Sequence, residues 1–198
     1  MKIIFISGPS GCGKTTLSNQ IISKIKDGII LSTDNYYKTG LISKLLSNFV
    51  EGYFDRSMSF NYKLFKRDYS FILKNKISII KRTYDFEKKT IKNTLEEKNN
   101  IKFLIVEGIF SKEFSSSLNN QDYNFLELKI DKNECMNRVL QRDIKERGKA
   151  KKQAEYDFLE SWKIYYEKFK NKNITKKGKE ITINKSNQID QIVQILFE

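Results

Sequence analysis

Histidine is absent from this 198-residue chain, which excludes every mechanism built on an imidazole base, a histidine metal ligand or a phosphohistidine. The general base to look for is therefore a carboxylate. Cysteine is scarce as well: Cys12 and Cys135 stand in no repeated spacing, so neither a disulfide framework nor a thiolate metal site is indicated. No apolar run reaches membrane-spanning length, and the apolar N-terminal stretch lacks the basic flank and cleavage site of a signal peptide. A soluble, cytoplasmic protein with no membrane partner is expected. Linkers, low-complexity tracts and internal repeats are missing too, so residues 1–198 read as one α/β domain, long enough to bury a substantial core.

Acidic residues are the minority, 24 against 37 lysines and arginines, leaving a formal charge of +13. Such a surface attracts polyanions, nucleoside triphosphate and nucleic acid among them. The lysines are spread along the whole chain, and a general surface bias accounts for them without any partner.

What is present is concentrated at the start. Ile3-Ile4-Phe5-Ile6 reads as a buried parallel strand and leads into Gly8-Pro9-Ser10-Gly11-Cys12-Gly13-Lys14-Thr15, a full G-x-x-x-x-G-K-[ST] match. Leu17, Ile21, Ile22 and Ile25 follow at helical spacing, so the motif lies between a strand and a helix. Its glycines let the backbone aim several N–H groups at one polyphosphate. Lys14 adds positive charge at the β- and γ-phosphates, Thr15 offers a hydroxyl to Mg²⁺, and the helix presents its positive end. Ser10 and Thr16 belong to the same cradle. Cys12 is either a small filler or a thiol acidified by the helix start.

Residues 28–32 read as a second strand ending at Thr33-Asp34-Asn35-Tyr36-Tyr37. Ligands of open α/β sheets collect at the carboxyl ends of strands, which makes Asp34 the first candidate base; a cap of the following turn is an equally ordinary role for it. Residues 41–60 read as short helix and loop containing Phe54-Asp55, and Tyr62, Phe65, Tyr69 and Leu73 mark a helix. Residues 76–82 and 90–95 form the strands of a hairpin insertion (76–96) around Tyr84-Asp85-Phe86-Glu87, whose aromatics either stack on a flat ligand or staple the hairpin to the core. The apolar strand 101–106 ends in Glu107-Gly108, where a carboxylate can orient Mg²⁺. A strand over 125–130 ends at Asp131, and a helix from Glu134 to Arg147 carries Arg138 and Arg142 before the stop signal Gly148. Residues 134–153 then read as a lid bringing Arg142, Arg147 and Lys149 to a transferring phosphoryl group, or as a helix with solvated cations. Phe158, Trp162, Tyr165 and Phe169 mark a core helix, residues 180–183 a short strand, and Ile189, Ile192, Val193 and Leu196 a closing amphipathic helix.

Other users of the same loop fit less well. No Asp is followed by Gly three residues later, Asn184-Lys185-Ser186-Asn187 lacks the acid of a guanine-reading N-K-x-D, and no L-S-G-G-Q stretch occurs. A small-molecule kinase needs an acceptor-side acid after the second strand and arginines in a late lid, and both are here. The chain resembles the uridine kinase branch of the phosphoribulokinase and uridine kinase group of P-loop kinases. The loop is similar to the family's G-x-S-G-S-G-K-T-T, Ser32 to Tyr37 to its S-x-D-x-F-Y, and Tyr84-Asp85-Phe86 to its hairpin Y-D-F. Ile105 to Ile109 resembles V-E-G-I, and Arg142-Asp143-Ile144-Lys145-Glu146-Arg147-Gly148-Lys149 is close to the lid R-D-x-x-E-R-G-R. Phe54-Asp55 falls at the family's F-D-H-P element but continues as Arg56-Ser57, and Lys88-Lys89-Thr90-Ile91 stands where the family carries a base-reading His-Ser-Arg.

The resemblance implies a P-loop fold, a parallel sheet flanked by helices with a small hairpin and a helical lid, assembled as a homo-oligomer. It implies transfer of a γ-phosphoryl group from ATP or GTP, with Mg²⁺, to the 5′-hydroxyl of a nucleoside such as uridine or cytidine. Gly8, Ser10, Gly11, Cys12, Gly13, Lys14, Thr15 and Thr16 would hold the phosphates, and Thr15 and Glu107 the metal. Asp34 would be the base, Asp55 would hold the ribose, Tyr37, Tyr84 and Phe86 would bracket the base ring, and Lys89 could hydrogen-bond a base carbonyl. Lys14, Arg142 and Arg147, with Lys149, would neutralise the transferring phosphoryl. A kinase acting on a sugar phosphate or a pantothenate-like hydroxyl is the alternative acceptor class. A non-catalytic nucleotide module is the more distant one, and nucleic acid is not the expected partner.

Overall fold

The computed structural model describes residues 1–116, 123–169, 178–183 and 192–194. A five-stranded parallel sheet has the order β2-β5-β1-β6-β7, formed by β1 (Lys2–Ser7), β2 (Gly28–Ser32), β5 (Phe103–Glu107), β6 (Tyr123–Leu128) and β7 (Gly178–Ile183). β1 lies at the centre, with Ile6 opposite Glu107 on one side and Ser7 opposite Glu127 on the other. Its two neighbours diverge in chain order, so the crevice for a ligand opens at its carboxyl end, where the glycine-rich loop begins.

Covered on both faces, the central strands are largely apolar. Alternation along β1 sends Ile3 and Phe5 to one layer and Ile4 and Ile6 to the other. The first layer is aromatic: Phe5 meets Tyr123 edge to face at 5.1 Å, and Phe65 meets Phe114 at 4.5 Å. In it lie α3 (Tyr62–Asn75) and α4 (Ser111–Ser116). The second layer is aliphatic and seats α1 (Lys14–Ile25) through Leu17 and Ile21, and α5 (Lys132–Arg147) through Cys135 and Val139. α5 begins two residues before the Glu134 start that the sequence suggests, because the Asp131 carboxylate accepts from the amides of Asn133 and Glu134, while Gly148 closes it at φ 61° as its stop signal indicates. Residues 149–150 then lead into α6 (Lys151–Ile164), whose last turns widen to a π-helix over Tyr165–Phe169.

β3 (Ser78–Asp85) and β4 (Thr90–Lys98) pair only with each other, a hairpin outside the main sheet. It is longer than the hydrophobic pattern shows, because Tyr84 and Asp85 belong to β3 and only residues 86–89 turn. α2 (Leu41–Phe49) fills the stretch where the sequence pattern indicates short helix and loop. The strand read from residues 125–130 begins two residues earlier and ends at Leu128, since Asp131 is needed as a helix cap. Of the closing helix expected around residues 189–196, only 192–194 are described; they are helical and Ile192 is buried, while Ile189 and Leu196 lie outside the described residues.

One glycine joins the fold to the site. Gly108 follows β5 at φ +130°, and a Cβ there would overlap the Thr33 hydroxyl at the end of β2. Gly108→Ala combines backbone strain with overpacking between two buried strand ends and should cost about 2–4 kcal/mol. Thermal unfolding checks this, and an unchanged Tm would show that the two strand ends are not in tight contact.

Candidate active site

Glycine geometry shapes the cradle. Gly11 sits at φ +79° against the first turn of α5, where a Cβ would overlap the Cys135 carbonyl, so the loop and the lid helix touch backbone to backbone. Lys14 turns its ammonium back along the loop, donating to the carbonyls of Gly8 at 3.0 Å and Pro9 at 2.9 Å. Burial opposes this charge, but the Cys12 sulfur, Glu107 and Asp34 more than offset it, and the ammonium is pushed up. Cys12 is buried and its thiol is pushed up, chiefly by burial, so of the two readings it is the filler and not an acidified thiol.

Three of the carboxylates at or near this crevice stand out. Glu107, at the end of β5, is 2% exposed and accepts from the Thr15 hydroxyl at 3.4 Å and from Ser32. Burial and then the neighbouring charge of Asp34 push its carboxyl up. Asp34 follows β2 in a 3₁₀ turn, and its buried Oδ1 has no hydrogen-bond partner among the described residues. A buried acceptor oxygen without a donor is rare and costs about 1–3 kcal/mol, so its retention points to a donor supplied from outside the protein. Asp55 accepts from Ser161 of α6 at 2.8 Å. Burial pushes Asp55 up to about 6, with the Ser161 hydrogen bond opposing and the Asp34 charge adding to the rise.

The Asp55 value carries a stability prediction. Because its folded value lies above that of the unfolded chain, ionising Asp55 costs stability progressively as pH rises from about 4 to 6, after which the cost is constant. Asp55→Asn keeps an acceptor for Ser161 and should therefore melt higher than the parent near neutral pH, and no higher near the unfolded carboxyl value. Equal melting temperatures across that range would refute the buried, ionised carboxylate.

The lid cations converge on a fourth carboxylate. Asp143 is 3% exposed, and Arg142 Nη2 lies 2.8 Å, Arg147 Nη1 3.3 Å and Lys149 Nζ 3.2 Å from it. Burial works against its charge, but these three cations outweigh it and hold the carboxyl below its usual range. Lys149 also reaches Asp157 of α6 at 2.7 Å, and the Arg147 guanidinium lies 4.5 Å above the ring of Phe86.

These side chains, Glu107 excepted, line one open cavity of about 1510 Å³ between the loop, α5 and the segment from α2 to Asp55. Ser10, Gly11, Gly13, Lys14, Thr15 and Thr16 of the loop line it together with Asp34, Tyr37, Asp55, Phe86 and Lys89. Arg142, Arg147 and Lys149 line it as well. Four residues named from sequence are not on its wall: Gly8, Cys12, Glu107 and Tyr84, the last packed against Phe86 and Tyr37 with ring centroids at 5.0 and 5.1 Å. Tyr84 thus shapes the wall from behind, and burial pushes its phenol up to about 12. Lys89 donates to Ser47 at 2.7 Å and Asn48 at 2.9 Å, tying the hairpin to α2 where the sequence reading has it free to meet a base. Ser161 and Asp157 escaped the sequence reading, as did the role of Asp143 as counter-ion to three cations. Ser161 lies 106 residues from the carboxylate that it contacts, and no local pattern marks such a pair.

Residues 3–177 match the model of the phosphoribulokinase / uridine kinase family. The chain belongs to that family. Uridine kinases of Borrelia hermsii and Leuconostoc citreum are each 31% identical to it, over 85% and 84% of this chain and 80% of theirs. Among solved structures, a D-glycerate 3-kinase from Cryptococcus neoformans superposes with a TM-score of 0.63 at 14% identity, covering 92% of this chain and 86% of that one. A possible uridine kinase from Bacillus stearothermophilus gives 0.57 at 15% identity, covering 90% and 88%. At these identities the two structures establish the shared fold: a P-loop kinase, α/β, with a parallel sheet flanked by helices. Phosphoribulokinase / uridine kinase family members generally use ATP and Mg²⁺. The residues present suit that cation: Thr15 and Glu107 offer hard oxygen donors at the loop, and the mutual repulsion of Glu107 and Asp34 is what a divalent ion beside them relieves. The cradle and lid of this family member are accordingly those of a phosphotransferase.

Proposed function

We propose that the protein transfers the γ-phosphoryl group of ATP or GTP to the 5′-hydroxyl of uridine or cytidine, giving the nucleoside monophosphate. The observation that carries this reading is the unpartnered Asp34 oxygen, buried at a cavity that Lys14 and Phe86 both line. Asp34 accepts the proton of the attacking hydroxyl, a late and modest transfer when the transition state is loose. The loop amides and Lys14 hold the β- and γ-phosphates, and Arg142, Arg147 and Lys149 swing from Asp143 onto the transferring group and exclude water. Thr15 and Glu107 would hold Mg²⁺, which when bound neutralises charge on the β- and γ-oxygens. Asp55 takes the ribose hydroxyls, and Tyr37 and Phe86 flank the base ring, with Tyr84 behind them.

A second acceptor class is favoured by one observation. The ammonium of Lys89, the residue available where the family's base-reading histidine stands, is engaged by α2. A kinase acting on another primary hydroxyl, a sugar phosphate or a pantothenate-like compound, would need no such contact. Multiple copies in one assembly and a cytoplasmic setting are proposed from the family resemblance.

A coupled ADP-release assay with ATP, Mg²⁺ and a panel of uridine, cytidine, other nucleosides, ribulose 5-phosphate and pantothenate decides among these. Uridine or cytidine turnover supports the first reading, and turnover on another compound alone transfers the mechanism to the second. If no acceptor raises the ATP-only rate while RNA or DNA binds with steep salt dependence, the nucleic-acid module takes their place.

A further inference from the structure

The short 3₁₀ turn Tyr53–Asp55 is seated on α6 at two points. Asp55 Oδ1 accepts from the Ser161 hydroxyl at 2.8 Å, and Gly52, which caps the turn at φ +59°, lies so close to α6 that a Cβ there would stand 2.5 Å from Ile164 Cδ1. Residues 52 and 55 thus meet residues 164 and 161, at the same spacing in both segments. Ser161 is 8% exposed, and both it and Asp55 line the cavity. Among the described residues no second donor meets the Asp55 side chain, which leaves Oδ2 to a group from the cavity.

We infer that Ser161 is a positioning residue for the acceptor: carried on a helix that Ala154, Phe158 and Ile164 anchor in the core, its hydroxyl fixes Asp55 by Oδ1 so that Oδ2 receives a hydroxyl of the acceptor. This rests on the reading of Asp55 as the residue that takes the acceptor's hydroxyls. The terminal torsion of an aspartate is broad and roughly two-fold, so a carboxylate with neither oxygen engaged offers an acceptor no fixed direction. A donated hydroxyl supplies that direction and also favours the charged form, in which both oxygens accept. Serine does this without neutralising Asp55, as a lysine or arginine would, so the acceptor meets a full negative charge and a correspondingly strong hydrogen bond. Burial pushes the Asp55 carboxyl up to about 6; the Ser161 bond and Lys14 of the loop oppose the rise, and Asp34 after β2 and Asp157 of α6 add to it. Tyr37 also interacts with Asp55, and its own phenol is pushed up, chiefly by burial.

The test is steady-state kinetics of Ser161→Ala, Ser161→Thr, Asp55→Ala and the double alanine variant, with the acceptor that the panel selects. Alanine is the better helix former, so Ser161→Ala should fold. Its KM for the acceptor should rise about 5- to 30-fold, the scale of one hydrogen bond to a charged group, with kcat and the KM for ATP changed no more than about twofold. Ser161→Thr, which keeps the hydroxyl, should restore the parent KM. For the parent, the acceptor KM should climb as pH falls below about 6, and in Ser161→Ala the climb should begin at higher pH, because the bond favouring the ionised carboxyl is gone. A serine that merely packs would leave this limb where it is. In the Asp55→Ala background, Ser161→Ala should raise the KM no further, a non-additivity that general loosening of α6 would not produce. If Asp55→Ala raises the acceptor KM while Ser161→Ala changes neither the KM nor the pH limb, the inference is overturned and the reading of Asp55 stands. An Asp55→Ala protein with the parent KM, or a panel in which no acceptor is turned over, would overturn both.

Discussion

Asp34→Asn should lower kcat by about 10²–10⁴-fold, the usual contribution of a positioned general base, with the KM for ATP changed by no more than a few-fold. The substitution is isosteric and leaves the 3₁₀ turn after β2 intact. It removes a charge that repels Glu107 and attracts Lys14, two opposing effects, so little change in the stability of the folded protein is expected. A merely structural Asp34 predicts the opposite pattern: a lower Tm with turnover preserved. Steady-state kinetics together with thermal unfolding therefore separate the two roles. The structural role is already disfavoured by the buried Oδ1, which no donor in the described residues meets.

Lys14→Ala should reduce kcat/KM for the triphosphate by about 10²–10³-fold, the scale on which a single preorganised charge acts in a water-poor site. Lys14 is 9% exposed and lies among the charges of Glu107 and Asp34. Its removal takes away a cation that interacts with both carboxylates as well as the contact to the phosphates. Lys14→Arg should not restore activity, because the planar guanidinium cannot make the compact pair of bonds to the Gly8 and Pro9 carbonyls. Calorimetric titration with an ATP analogue distinguishes lost binding from lost chemistry. A variant retaining affinity and rate within tenfold would contradict the cradle.

The parts of this molecule that could be read from sequence are those encoded locally. The glycine-rich loop, the strands feeding it and the carboxylates at their ends follow from spacing and period alone, because a parallel strand buried on both faces is a nearly continuous apolar run. The helix before Gly148 was readable from its apolar spacing and its glycine stop, whereas its start at Lys132 and its Asp131 cap were not. What was not legible depends on contacts across the chain. The hydrogen bond from Ser161 to Asp55, the gathering of three lid cations on Asp143 and the engagement of Lys89 by α2 join segments with no common pattern. The hairpin shows the boundary between the two. Its strands alternate visibly, yet whether Tyr84 and Phe86 face a ligand or the core depends on packing, and the two residues divide: Phe86 lines the cavity and Tyr84 supports it from beneath.

The central claim is that Asp34 directs the γ-phosphoryl group to a nucleoside hydroxyl. It is tested most directly by supplying ATP labelled on its γ-phosphate together with uridine and Mg²⁺ and identifying the labelled product by mass spectrometry. The label should appear in uridine 5′-monophosphate with the parent protein and not with Asp34→Asn. Label found only in inorganic phosphate, with uridine and cytidine alike recovered unchanged, would contradict it.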